Sequence, residues 1–278
     1  MNRPEVLQAI AAQAGRGELV FPTSVDVALK IQRALDNPDC HTEAAAKLVQ
    51  TEPLLSARVV AMANSVVFNR SGREITDVRT AVARLGFRTL RSLAGAIVTR
   101  QMAGTSTDPK LRAISARLWE HTAHVAALAH VIARRVTRQD PETAFFAGII
   151  HEVGGFYLIS RAKDYPDILD GDPAEWAEHA EAEVGRAVLA KLGIPEAVKV
   201  AIEGLWEGYL ALPPSSLSDT LLLANTLAPI PSPLNQPADE KIGNNAPIID
   251  TYIDEQTLSK IVEESKAEVD SLIAALSF

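Results

Sequence analysis

The chain has 278 residues, 47% hydrophobic and 22% charged, with a net charge of −8 and one cysteine, Cys40. Those values exclude intrinsic disorder, a disulfide scaffold and a cysteine zinc cluster; with no run of 18 apolar residues, neither a signal peptide nor a membrane span is predicted, and a cytoplasmic protein is expected. Residues 58–138 carry 13 Arg and one Lys against four acids, +10 in all, which leaves −18 for the rest, so general nucleic-acid binding is not expected.

Apolar residues recur at helical spacing and nowhere show the sustained alternation of a half-buried strand, so the chain is predicted to be all-α. Leu55, Val59, Met62 and Val66 step by 4, 3 and 4, and Val78, Ala81, Val82 and Leu85 repeat the pattern before Gly86 offers a stop. Leu90, Leu93, Ala94 and Ile97 begin another helix. These elements predict an N-terminal helical bundle lobe over 1–103, and the turn-rich GTSTDPK segment starts a second lobe, 104–278. There Ile114, Leu118, His121, Val125, Leu128 and Ile132 form one stripe, which buries His121 and leaves His124 and His130 off it. Asp140-Pro141 opens a helix with Phe145, Ile149 and Phe156 that breaks at Gly154-Gly155, and Asp172-Pro173 opens the next, closed at Leu192-Gly193. Val198, Ile202, Leu205 and Tyr209 form the apolar face of a helix begun by Pro195. Five prolines predict a long exposed loop over 228–248. An amphipathic helix from about Asp254, with Leu258, Ile261, Val262, Val269, Leu272, Ile273 and Leu276, ends the chain.

Three stretches carry a family resemblance: LVFPTSVDVALKIQRALDNP, then LLSARVVAMANSVVFN with ITDVRTAVARLGFRTLRSL, then LWEHTAHVAALAHVIA with AFFAGIIHEVGGFYLI. Together they resemble the HDOD family over roughly Glu18 to Tyr209. The resemblance implies an N-terminal helical lobe packed on a degenerate HD-like lobe, and bacterial signal transduction instead of catalysis. An HD phosphohydrolase needs a His, an adjacent His-Asp and a distant Asp around one or two divalent metals. By resemblance His121 matches the first His and His151 the second. Glu152 stands for the Asp, its extra methylene moving the carboxylate by about 1.5 Å. Asn225 replaces the last Asp, Gly155 replaces the Lys of the pattern His-Asp-x-Gly-Lys, and Leu205-Trp206 or Trp206-Glu207 replaces a His-His pair. His179 matches a further family position. The expectation is a vestigial pocket of His121, His151, Glu152, His179 and Asn225 with no metal, cofactor or catalytic residue, and with room for a small anionic ligand.

Arg70, Arg73, Arg84, Arg88 and Arg91, with Arg79, offer an anion or partner surface, weighed against a solvated face paired with the acidic C-terminal lobe. Asn64 and Ser65 read as a helix-end motif, and Trp119, Trp176 and Trp206 as core or lobe-interface aromatics. The resulting expectation is a non-catalytic regulatory module that acts through a signalling protein partner of unknown identity. Its rivals are a metal-dependent phosphohydrolase or phosphodiesterase with altered ligands, and a nucleic-acid-binding regulator that uses the Arg face.

Overall fold

The computed structural model describes residues 2–22, 25–104, 106–234 and 255–277, and among them no strand occurs. The helices are α1 (Arg3–Gly15), α2 (Val25–Leu35), α3 (Thr42–Gln50), α4 (Pro53–Ala63), α5 (Val78–Met102), α6 (Pro109–Ile132), α7 (Pro141–Ile150), α8 (Val153–Arg161), α9 (Pro173–His179), α10 (Glu181–Lys191), α11 (Glu196–Glu207), α12 (Leu217–Leu227), α13 (Glu255–Glu264) and α14 (Lys266–Leu276). A π-helical turn, Ala133–Thr137, follows α6. Their starts are written in local chemistry. Asp77, Asp108, Asp140 and Asp172 each accept a hydrogen bond from a first-turn N–H, and at the last three a proline, with no N–H to satisfy, follows.

Helix α5 packs on α2, α3 and α4 with one part and on α7 and α8 with another, while α6 lies against α7, α12 and α14. Helix α1 crosses to α9 and α10, where Arg3 Nε donates to Ile168 O at 2.7 Å and the guanidinium pairs with Glu175. Helix α14 ties α4 to α6. Val66 N donates to Ser271 Oγ at 2.9 Å, Trp119 Nε1 donates to Leu276 O at 3.1 Å, and Arg134 pairs with Glu268. The stretch Pro141–Arg161 has the length and apolar composition of a membrane span, but 83% of its most apolar window lies inside the fold, where core packing accounts for that composition.

Several local expectations change. Gly86 kinks α5 at φ 71°, ψ 172°, a conformation open to glycine, and the helix resumes beyond it. The break between α7 and α8 falls at His151-Glu152, with Gly154 and Gly155 inside α8, because helix packing and not backbone freedom explains these glycines: a Cβ on Gly154 would lie 3.2 Å from Gly185 Cα. The helix opened by Asp172-Pro173 divides at Ala180. Val66 and Tyr209, placed on apolar faces by their spacing, lie beyond the ends of α4 and α11 and are exposed. His130 is buried although it lies off the α6 stripe, since neighbours surround α6 on more than one side. The C-terminal helix divides at Ser265, and residues 235–248 of the Pro-rich loop lie outside the described residues.

Asn64 ends α4 as the helix-end motif implies. Its Nδ2 donates to Ile75 O at 2.7 Å and its Oδ1 accepts from Ile75 N at 2.9 Å, so one amide closes the loop to α5 by imitating a peptide group. Asn64→Ala leaves a backbone donor and acceptor of the buried Ile75 unpaired, an expected loss of about 2 kcal/mol. Urea unfolding checks this; a loss below about 0.5 kcal/mol would mean water replaces the amide.

Candidate functional site

Helix α6 carries His121 on the buried stripe that its spacing predicts. Helix α7 reaches it because Gly148 has no side chain: a Cβ there would lie 2.5 Å from Ala126 Cα and 2.9 Å from Ala126 N. Backbones that close bring the α7–α8 turn, with His151 and Glu152, against His121. The rings of His121 and His151 are 5.3 Å apart, and their Nε2 atoms are 3.2 Å apart. Glu152 Oε1 lies 3.9 Å from His121 Nε2, and one donor atom from each of the three side chains falls within 4.8 Å of the others. Asn225, near the end of α12, hydrogen-bonds the His121 ring. Four of the five expected pocket residues therefore meet. His179 does not join them: it ends α9, partly buried, outside the donor group.

Hydrogen bonding fixes the tautomers. His121 Nδ1 faces Ile230 O at 2.7 Å and His151 Nδ1 faces Gly148 O at 2.7 Å. A carbonyl only accepts, so both Nδ1 atoms carry hydrogen and both Nε2 lone pairs turn toward each other. Their approach is attractive only with a proton or a cation between them. Burial holds His121 below the ordinary histidine range, pushes His151 down to about 3 and pushes Glu152 up to about 7. The proximity of His121 adds to the effect on His151, and the Ser232 hydroxyl partly offsets that on Glu152. The pocket thus favours a net neutral state below pH 7, with one proton among the three groups.

Two nitrogens bound to one cation at about 2.1 Å are separated by roughly 3.0 Å at a right angle and 3.4 Å at a tetrahedral one. The observed 3.2 Å lies between, and carbonyls orient both rings from behind as they do for metal-ligating histidines. The donors therefore fit one divalent cation, held by His121 Nε2, His151 Nε2 and Glu152. Such an ion supplies Lewis acidity to a water or substrate that can reach it.

The chain itself covers this position. After α12 the sequence Ala228-Pro-Ile-Pro-Ser-Pro-Leu234 runs across the pocket. Ile230 O binds His121, the Ser232 hydroxyl donates to Glu152, and Leu234 is buried over α8. A Cβ on Gly155 would come 2.6 Å from Leu234 Cδ1. At the position where the resemblance implies a phosphate-supporting lysine, the missing side chain makes room for Leu234. His121, His151 and Glu152 are left 1%, 6% and 5% exposed. The expected exposed loop is thus, over its first seven residues, a strap that packs on the site. Its prolines keep the strap out of any helix, but nothing local marks the surface it covers.

The arginine stretch divides. Arg88 pairs with Asp140, Arg91 with Asp36, and Arg79 with Glu43. Only Asp140 of these acids belongs to the C-terminal lobe, so pairing is mostly local and not with the acidic far end. Arg84 donates to Phe68 O, and Arg70 and Arg73 are exposed and form no ion pair among the described residues.

The helical fold, of HD-like type, brings two histidines and a carboxylate together at a turn between buried helices. The HDOD domain model matches residues 21–204, more than half of the chain, and the chain belongs to the HDOD family. It is 24% identical over 185 residues to an uncharacterised Treponema pallidum (strain Nichols) protein, with 61% of this chain and 34% of the relative covered; the match spans about a third of that relative's length. Among solved structures, a Shewanella amazonensis SB2B protein provisionally named a metal-dependent phosphohydrolase has a TM-score of 0.77 at 19% identity, with both chains fully covered. An HDOD domain protein from Geobacter sulfurreducens gives 0.65 at 21%, with 99% of each chain covered. A protein from Marinobacter aquaeolei VT8 gives 0.61 at 18%, with 100% of this chain and 67% of that chain covered. At these identities the likeness establishes the fold.

Proposed function

We propose that this chain is a regulatory module of signal transduction that works through a protein partner and does not turn over a phosphoester. The observation that carries this reading is the covered pocket: the three donors are at most 6% exposed beneath residues 228–234. Leu234 fills the space over Gly155, where the resemblance implies the side chain of a phosphate-supporting lysine. The Marinobacter neighbour is provisionally named a signal transduction protein, which agrees with a regulatory role. Arg70 and Arg73, exposed and without ion pairs among the described residues, leave positive charge for an acidic partner surface. A cytoplasmic location follows from the same reading.

The paired Nε2 atoms favour a second reading, a metal-dependent hydrolase with altered ligands. One assay separates the two. Metal-stripped protein reloaded with Mn, Fe or Ni is expected to hydrolyse a generic phosphodiester no faster than His151→Ala. Turnover that His151→Ala abolishes would replace the regulatory reading with the hydrolase.

A further inference from the structure

Residues 228–233 are alternately proline and pre-proline, and both kinds have restricted backbone freedom that keeps them out of a helix. Ala228 has φ −62°, ψ 125°, the polyproline geometry. Each proline also removes an N–H that a strap outside any sheet could not pair. A segment of this kind loses little conformational entropy when it docks. Period-two side-chain placement suits a surface reader: Ser232 and Leu234 are 5% and 7% exposed, whereas Pro229 and Pro231 face solvent. Leu234 N donates to Ser232 Oγ at 3.3 Å, which orients the hydroxyl that reaches Glu152.

Both polar anchors of the strap lie on side chains that would also hold a cation. His121 presents Nδ1 to Ile230 O and Nε2 to the pocket; Glu152 receives Ser232 on a carboxylate 3.9 Å from that Nε2. We propose that the Ala228–Leu234 strap is an internal latch on the pocket, and that a divalent cation held by His121, His151 and Glu152 tightens it. A cation on Nε2 withdraws electron density from the ring and makes Nδ1–H a stronger donor to Ile230 O. On Glu152 it fixes the position of the carboxylate that Ser232 meets. Coupling of this sort is reciprocal: whatever factor the ion adds to strap docking, the docked strap adds to ion affinity. The ion then acts as a fastener for residues 228–234. This inference rests on the covered pocket, yet its failure is separable from that of the regulatory reading, which turnover alone decides.

The test uses the full chain, stripped with a chelator and titrated with Mn, Ni or Zn by calorimetry. One ion per chain is expected, lost in His151→Ala, bound about tenfold more weakly by Ser232→Ala and restored by Ser232→Thr. Hydrogen exchange at Ile230, Ser232 and Leu234 is expected to slow about tenfold with the ion bound. Absence of stoichiometric ion, equal affinity in Ser232→Ala, or faster exchange on loading would each overturn the proposal.

Discussion

Gly148→Ala is expected to remove about 3 kcal/mol of stability. Its Cβ would lie 2.5 Å from Ala126 Cα, 2.9 Å from Ala126 N and 3.2 Å from Ala126 Cβ. Backbone atoms in the middle of α6 cannot rotate away as a side chain does. The helices must separate, and close packing nearby is lost with them. Separation also draws His151 from His121, so the Nε2 contact and any ion affinity are expected to fall together. Gly155→Ala supplies the contrast, since its new methyl meets Leu234 Cδ1 and Glu152 Oε2, both ends of side chains that can turn. About 1 kcal/mol is expected there, with a loosened strap. Urea midpoints of the two variants decide the matter; a Gly148→Ala variant within about 1 kcal/mol of the parent would show that α6 and α7 tolerate separation.

Glu152→Gln is expected to become more stable than the parent as pH rises. The Glu152 carboxyl goes from an ordinary 4.5 to about 7 on burial, so between those values the folded chain holds a proton that the unfolded chain has released. Stability therefore falls as pH rises through that window, by up to about 3 kcal/mol at 1.36 kcal/mol per pH unit. Histidine works in the opposite sense. With His151 pushed from 6.5 down to about 3 and His121 also lowered, the unfolded chain takes up protons first, and stability falls as pH drops below 6.5. The parent pocket should thus contribute most near pH 6.5. Glutamine keeps the shape without the charge and removes only the alkaline loss. Unfolding in chelator at pH 4.5 and pH 8 should show the variant-minus-parent difference rising by about 3 kcal/mol. A difference independent of pH would mean that the histidine pair keeps the carboxylate fully compensated.

The hydrogen bonds of His121 and Glu152 to the strap give the site a feature that its ligands alone would not suggest. Of the pocket, His121, His151, Glu152 and Asn225 were legible, His121 from its stripe and the others from the resemblance. His179 was not placed correctly, because a match at a family position says nothing about the direction in which a short helix turns its last residue. His130 is buried although it lies off the stripe, because periodicity identifies the more apolar face of α6, whereas burial also depends on how many helices surround it.

What the sequence by itself determined is local. Aspartate followed by proline sets helix starts and apolar spacing makes the chain helical, because each acts between near neighbours in the chain. What only the tertiary structure decided is which of these elements meet. Gly154 and Gly155 read as a break and proved to be points of close approach, and the strap read as solvent-exposed and proved to cover the histidines. Close approach is a property of two surfaces, and only one of them is written at any given place in the chain.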